Sequence, residues 1–270
     1  ARSTGRANLL CVDMGGTSFD LSLVVDGRAN TTLETELEGL PLLMSIVDIQ
    51  TIGTGGGSIA WLENGAMRVG PHSAGSVPGP ACYGRGGKQP TVTDANLFLG
   101  RLGTASLLRG AMTLDEAAAR TAIGRVAAEA GLDPTAFAEG VLAISNAAMA
   151  DAMRTITVSR GVDPRQFTLV AFGGAGPMAA AFLAEELGIA EVLVPRFPGT
   201  FSAWGMLQTD LRHDLTQSFF RPLESVDIAE VVESFRSLES EGREAMLAEG
   251  VERDAVEFQR SADMRYVGQE

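Results

Sequence analysis

The most constraining stretch of this chain is Leu9–Val25, in which two apolar runs flank a pair of glycines. The runs favour β-strands, and Gly15 and Gly16 favour a tight turn between them, so the sequence predicts a β-hairpin. Asp13 and Asp20 stand on either side of the turn. Backbone N–H groups in such a turn bind anions, and carboxylates hold divalent cations. The hairpin therefore suits the phosphates of a metal–nucleotide complex, with a plain hairpin turn as the alternative.

The turn is not a Walker loop, although it is rich in glycine. No lysine follows the glycines, and the run from Phe19 to Val25 favours a strand where a Walker loop requires a helix. The hydroxyl group of Thr17 adds one more hydrogen-bond donor to the turn. The predicted phosphate contacts are therefore the backbone of Gly15 and Gly16 together with Thr17.

A second glycine turn, Gly173–Gly176, is of another kind because a helix follows it. The sequence predicts a buried strand over Phe167–Phe172, a helix that ends before Gly188 and a further strand over Val192–Val194. This order indicates parallel strands joined by a right-handed crossover. A helix N-terminus attracts anions, so Gly173, Gly174 and Gly176 are candidate nucleotide contacts. Tight strand-to-helix packing is the alternative reason for these glycines.

Other helices are predicted from their start and stop signals. Thr113 with Glu116 fits a capping box, and Gly131 ends that helix. Asp133 begins the next helix, which an apolar stripe extends to about Arg160. A further helix is predicted over residues 228–249, and residues 262–270 are typical of a strand.

The glycine- and proline-rich segment 53–88 also contains apolar residues that favour burial, so we expect an ordered, irregular segment around a site. Cys82 is expected to be a structural thiol, since few basic residues stand near it in sequence. Asp94 and Asn96 are candidates for contacts with substrate or metal. A helix cap at Thr93 and Asp94 explains them equally well.

Composition narrows the classes of partner. The 270 residues carry a net charge of −13, which argues against binding to nucleic acid or to an anionic membrane surface. The two cysteines, Cys11 and Cys82, are too few for a disulfide framework and favour a cytoplasmic setting. Their spacing from the two histidines is not that of a zinc site.

These motifs together resemble a known superfamily. Val12–Asp20 resembles the second phosphate motif of the actin, Hsp70 and sugar-kinase ATPases, and Phe172–Pro177 resembles their adenosine motif. More narrowly, the chain resembles the hydantoinase A / 5-oxoprolinase family, which includes acetone carboxylase β subunits. The stretches that carry this narrower resemblance are Gly53–Trp61, Val69–Pro71, Pro78–Gly87, Pro90–Leu97 and Asp263–Gln269.

The resemblance implies an α/β fold: a ribonuclease H-like, actin-like ATPase core with a mixed sheet. It implies that residues 1–270 are the central ATPase domain of a longer chain, with a glycine-rich and helical insertion over 53–160. It further implies use of ATP and Mg²⁺ to phosphorylate the carbonyl oxygen of a hydantoin or 5-oxoproline-like lactam for ring opening. Asp13 and Asp20 would be catalytic, and Asp13 would bind the metal.

The resemblance also implies partners and alternatives. A companion hydantoinase B-type subunit is expected, and a homo-oligomer is possible. Family members carry an earlier phosphate motif that this sequence does not contain, so we expect little ATP hydrolysis from the chain alone. The alternatives are the β subunit of an ATP-dependent ketone carboxylase and a nucleotide-binding subunit without catalysis.

Overall fold

The computed structural model describes residues 1, 4–32, 35–37, 40–42, 46–105 and 112–269. Its principal sheet begins with the predicted hairpin, β1 (Leu9–Met14) and β2 (Phe19–Val25), which pair antiparallel. Short strands β3 (Arg28–Ala29) and β8 (Ile49–Ile52) extend the sheet beyond β2. On the other side, β11 (Thr168–Phe172) pairs parallel with β1, and β12 (Glu191–Leu193) pairs parallel with β11. The six strands therefore form the mixed sheet that the sequence predicts.

Two short antiparallel ribbons lie between β3 and β8 in the chain. Strand β4 (Thr31–Thr32) pairs with β7 (Ile46–Val47), and β5 (Thr35–Leu37) pairs with β6 (Leu40–Leu42). Both ribbons are separate from the principal sheet.

The glycine-rich segment 53–88 is more regular than predicted, which corrects the sequence analysis. It contains an antiparallel hairpin made by β9 (Ser58–Glu63) and β10 (Ala66–Ser73). Asn64 and Gly65 join the two strands, and both have positive φ angles, 51° and 82°. Asn-Gly is the strongest two-residue signal for this kind of turn, and glycine content elsewhere in the segment obscured it.

Within the described part of residues 1–207, four helices of seven or more residues follow the hairpin. They are α1 (Val92–Phe98), α2 (Glu116–Ala130), α3 (Pro134–Ser159) and α4 (Gly176–Leu187). The predicted ends at Gly131 and Gly188 are confirmed, and both glycines have the left-handed conformation. The predicted cap at Thr113 is wrong, because the side chain of Asp115 accepts from Ala118 N and caps α2.

The sheet has one buried face and one half-buried face. The buried residues of β1 and β2 join α3 and α4 in the main hydrophobic core, which includes Leu10, Val12, Met14, Phe19, Leu21 and Leu23. The alternate residues Cys11, Asp13, Asp20 and Ser22 point to the other face and are only half-buried. Burial raises the pKa of the Cys11 thiol to about 11. The two carboxylates thus stand on the open side of the sheet.

The chain divides into two compact units, residues 1–207 and 208–269 of those described. The first unit ends with α5 (Phe201–Met206), and the second contains α6 (Ile228–Ala248), which confirms the predicted helix there. The strand predicted near residue 262 is wrong, since residues 262–269 form no strand. The domain limits 1–270 and the insertion 53–160 stay predictions. None of the helices in the described part of the chain could span a membrane.

Candidate functional site

The two glycine turns lie side by side at one edge of the sheet. Because β1 and β11 are parallel neighbours, with Asp13 in register with Phe172, the turns that follow them leave the sheet at the same end. The N–H of Ala175 donates to the carbonyl oxygen of Met14 over 2.9 Å, so the second turn is bonded directly to the end of β1. The structure therefore brings together the two predicted groups of site residues.

The two predicted catalytic carboxylates are neighbours. Asp13 and Asp20 are directly opposite each other in the β1–β2 register, which places their side chains on the same face. Asp20 accepts hydrogen bonds from Thr51 Oγ1 at 2.6 Å and from Ser18 Oγ at 3.2 Å. Asp13 Oδ2 accepts one from Ser202 Oγ at 2.7 Å. Hydroxyl groups therefore orient both carboxylates without neutralising their charge.

The segment Gly55–Gly57 forms the back of the first turn. Gly56 N donates to Gly15 O over 3.0 Å, and Gly57 N donates to Gly16 O over 2.6 Å. The carbonyl groups of the turn are thus directed to this segment. The backbone N–H and the hydroxyl group of Thr93 both donate to Gly56 O, each over 2.8 Å, which ties the start of α1 to the same place. Sequence reasoning missed this support because the contacts are remote along the chain.

Packing explains only some of the glycines around the site. A Cβ on Gly55 would lie 2.7 Å from Gly16 C and from Thr17 N, distances that real Cβ atoms do not show. Gly173 has a φ of +82°, and a Cβ there would overlap Asp13 Oδ1 and lie 2.5 Å from Met14 O. At these positions the fold itself requires glycine.

Gly15, Gly16 and Gly174 are different. A Cβ on any of them would stand in open space, and none has a left-handed φ. The N–H groups of Gly16, Thr17 and Gly174 make no hydrogen bond to other described residues, and all three residues are exposed. Glycines that packing does not require, beside exposed N–H donors, fit a ligand that approaches the backbone closely. The first turn is closed by Gly15 N donating to Ser18 O over 3.1 Å.

Asp94 is a structural residue, which resolves the two alternatives for it. Its carboxylate is fully buried and accepts from Thr91 N, Thr91 Oγ1, Ala81 N and Cys82 N. The cap of α1 is thus Thr91, with Asp94 as its partner in a capping box, so a cap at Thr93 is wrong. Cys82 is buried, and burial and the neighbouring Asp94 raise the pKa of its thiol, as expected of a structural cysteine.

A small cavity lies beside the second turn. Its volume is about 20 Å³, close to the space that one water molecule needs. Ser145 Oγ is buried there without a hydrogen-bond partner among the described residues. Asn96 also lines the cavity, and its amide donates to Val92 O over 3.0 Å. The other polar lining residues are Arg101 and Asn146, and Ala175 and Met178 connect the cavity to the start of α4.

The described residues contain no group of three or more His, Cys, Asp or Glu side chains that could hold a metal ion. Mg²⁺ in phosphate sites needs only one or two carboxylates, since substrate phosphates and water supply its other ligands. Asp13, half-buried with Oδ2 held by a hydroxyl group, fits that role on the chemistry of its donor atoms.

Comparison with known proteins identifies the family of this chain. The hydantoinase/oxoprolinase family model matches residues 1–215. The chain belongs to this family. Caprolactamase subunit alpha of Pseudomonas jessenii is 38% identical to it over 274 residues, which cover all of this chain and 39% of that protein. The name of that protein describes it as one subunit of a caprolactamase. This chain spans about two fifths of its length.

Two solved structures are similar to this chain. Nucleotide-free acetone carboxylase, from work on ATP-dependent acetone carboxylation, aligns with a TM-score of 0.81 and 29% identity over 94% of this chain and 37% of that chain. ATP-dependent caprolactamase from Pseudomonas jessenii aligns with a TM-score of 0.76 and 35% identity over 100% of this chain and 40% of that chain. These likenesses confirm the predicted α/β fold of the actin-like ATPase type, and both relatives are ATP-dependent.

Proposed function

We propose that this chain forms one wall of the nucleotide site in an ATP-dependent enzyme that opens the ring of a hydantoin or 5-oxoproline-like lactam. The observation that carries the proposal is the set of glycines at two adjoining turns that packing does not require. Exposed N–H groups accompany them, and the carboxylate pair lies next to them. Membership of the hydantoinase/oxoprolinase family and likeness to ATP-dependent caprolactamase support the same reaction class.

Each turn has its own part in this proposal. Gly15, Gly16 and Thr17 would hold the terminal phosphates through exposed N–H groups. Gly173, Gly174 and Gly176 would face the adenosine and the inner phosphates, where the start of α4 favours negative charge. Bound ATP with Mg²⁺ supplies the phosphoryl group that converts the lactam carbonyl oxygen into a leaving group.

Asp13 and Asp20 then have distinct roles. Asp13 would hold Mg²⁺, directly or through water, or orient the nucleophile, because it is the carboxylate that lies against both turns. Asp20 has both oxygens engaged by Thr51 and Ser18, and so would act as a fixed negative charge that supports Asp13. The hydroxyl donors orient each carboxylate before the ligand arrives, which lowers the cost of reorganisation.

The cavity beside Ala175 is where we propose that the edge of the base reaches. A volume of about 20 Å³ admits only a small group such as an exocyclic amine. Ser145 Oγ and the Asn146 amide are hydrogen-bonding groups there, and no carboxylate lines the cavity. Replacement of Asn146 by Ala is expected to weaken ATP binding and to leave the binding of inorganic tripolyphosphate unchanged.

Family membership supports a proposal for the substrate and the partner. We propose a cyclic amide as the substrate and a companion subunit of the hydantoinase B type, since the related caprolactamase chain is itself a subunit. The two unpaired cysteines, Cys11 and Cys82, favour the cytoplasm. We expect the chain alone to bind nucleotide without appreciable turnover.

The test is ATP hydrolysis by the full-length protein with its companion subunit, in the presence of a panel of lactams and hydantoins. At least one ring substrate should stimulate hydrolysis, and Asp13→Asn should abolish the stimulated rate while nucleotide binding persists. Stimulated hydrolysis that survives both Asp13→Asn and Asp20→Asn would refute the assignment. The control is Glu224→Gln, an exposed carboxylate in the second unit.

A ketone carboxylase is the second candidate function, and the likeness to acetone carboxylase favours it. The two candidates differ in the co-substrate, because carboxylation consumes bicarbonate or carbon dioxide and ring opening consumes water. Stimulation of ATP hydrolysis by a ketone that depends on added bicarbonate would select the carboxylase. Stimulation by a lactam without bicarbonate would select the amidohydrolase.

A further inference from the structure

We propose that Ser202 is a positioning residue for Asp13, an inference that deepens the proposed function and rests on it. Ser202 Oγ donates a hydrogen bond to Asp13 Oδ2 over 2.7 Å, across a sequence separation of 189 residues. Among the described residues, Asp13 accepts no other side-chain hydrogen bond that the structure resolves. The orientation of this carboxylate therefore depends on one hydroxyl group.

The segment that carries Ser202 is anchored to the end of the sheet. Gly173 N donates to Pro198 O over 3.0 Å, which ties the approach to α5 to the second glycine turn. The ring of Phe201 packs edge-on against Phe172, with centroids 5.0 Å apart and an interplanar angle of 65°. Phe172 is in register with Asp13 on the neighbouring strand. Ser202 thus directly follows Phe201, which packs on the neighbour of Asp13. A shift of α5 would break this ring contact and the hydrogen bond to Pro198.

Both oxygens of the Asp13 carboxylate are fixed by their surroundings. Asp13 Oδ1 lies against the backbone of Gly173, at the place where a Cβ would stand. With Oδ2 held by Ser202 and Oδ1 beside the turn, rotation about the Cβ–Cγ bond is restricted. A serine hydroxyl donates without bringing a positive charge, so the carboxylate keeps the full charge that a divalent cation requires.

Asp20 provides an internal comparison. Its two oxygens are held by Thr51 and Ser18, both from the strands or turn next to it. Asp13 has its hydroxyl donor from a separate segment, which follows the second turn. Ser202 therefore couples the orientation of Asp13 to the correct placement of the second turn, and the two halves of the nucleotide site are assembled as one unit.

The experiment compares Ser202→Ala with Ser202→Thr in the full-length protein with its companion subunit. Ser202→Ala should lower kcat for substrate-stimulated ATP hydrolysis about 10-fold, which is the usual effect of losing a partner of a metal-binding carboxylate. The Mg²⁺ concentration for half-maximal rate should rise, while the KM for ATP and the urea midpoint stay unchanged. Ser202→Thr keeps the hydroxyl group and should restore most of kcat.

A matched control is Ser225→Ala, which removes another exposed hydroxyl group that donates only to Pro222 O, over 2.9 Å. It should change neither kcat nor the Mg²⁺ dependence. An unchanged kcat and Mg²⁺ dependence in Ser202→Ala, with activity abolished in Asp13→Asn, would overturn the role of Ser202 alone. Full activity in Asp13→Asn would instead overturn the proposed function, so the two failures are distinguishable.

Discussion

The two sets of glycines around the site differ in what they are for. Gly55 and Gly173 fill places where a side chain would overlap backbone, and Gly173 also has a left-handed φ. Gly15 and Gly16 face open space in an ordinary backbone conformation, beside exposed N–H groups. The first set holds the two turns together, and the second set leaves room for a ligand. Stability and binding should therefore respond to different substitutions in the same small region.

Gly173→Ala should have the largest effect. The new Cβ would overlap Asp13 Oδ1 and force a left-handed φ on an alanine, which together predict a loss of about 3–4 kcal/mol in the free energy of unfolding. Urea denaturation followed by circular dichroism measures this loss. The control Gly199→Ala places its Cβ in open space and should unfold at the wild-type midpoint. A Gly173→Ala variant as stable as wild type would contradict the packing argument.

Gly55→Ala should destabilise the protein less, by about 2 kcal/mol, because its φ is unstrained and only overpacking against Gly16 and Thr17 remains. The first turn must shift to make room, so nucleotide affinity should fall as well. Calorimetric titration and urea denaturation on the same samples give both quantities. Gly53→Ala is the matched control, since its Cβ would make ordinary contact with Pro71 at 3.6 Å.

Gly16→Ala should separate binding from stability. The Cβ meets no protein atom, so the free energy of unfolding should stay within about 0.5 kcal/mol of wild type. Affinity for Mg²⁺–ATP should fall about 10-fold, or about 1.4 kcal/mol, because the methyl group occupies the ligand side of the turn.

Gly124→Ala on α2 serves as the control for Gly16→Ala. Its Cβ would also stand in open space, and alanine in a helix interior should stabilise the protein by about 0.5–1 kcal/mol. Nucleotide affinity should not change in this control. Equal nucleotide affinity in Gly16→Ala and wild type would show that the first turn does not face the phosphates.

The smallest effect is expected at the opposite end of the sheet, far along β11 from the turns. Hydrogen bonds from Arg6 and Thr168 lower the pKa of Glu191 to about 2. A depressed pKa in the folded state stabilises the protein above the unfolded value of about 4.3, and this contribution is lost as the pH falls toward 2. In Glu191→Gln, the free energy of unfolding should therefore fall less steeply with decreasing pH below about pH 4.3 than in the wild type.

The same variant sharpens the contrast between the two ends of the sheet. Glu191→Gln should leave nucleotide affinity at neutral pH unchanged, since Glu191 pairs with Thr168 at the start of β11 and the turns follow its end. A change in affinity would mean that the two ends are coupled through the sheet. Stability of both proteins between pH 7 and pH 3, together with titration at neutral pH, completes the test.

Local signals predicted most of the regular structure. The β1–β2 hairpin, the helix that begins after Asp133 and the strand–turn–helix unit ending at Gly188 are all present. Each depends on residues close together in sequence. The hairpin at Asn64 and Gly65 was missed although its turn signal is local, because surrounding glycines favoured an irregular interpretation.

What could not be predicted depends on remote contacts. Nothing near Gly55 in the sequence shows that its Cβ would overlap the first turn, and nothing near Ser202 shows that its hydroxyl group meets Asp13. The cap of α2 shows the same limit at short range, since Thr113 and Asp115 both suit an N-cap and the structure uses Asp115. The sequence predicts the site as two separate motifs. The parallel pairing of β1 with β11, which brings the motifs together, is seen only in the structure.

That pairing also determines when the two turns can meet during synthesis. Asp13 leaves the ribosome before its neighbours at the second turn, which are made about 160 residues later. A nascent chain that has not yet added β11 can form the first hairpin but has nothing to place against Asp13. Since distant segments must be joined before their contacts stabilise anything, the two glycine turns should come together abruptly once β11 has emerged.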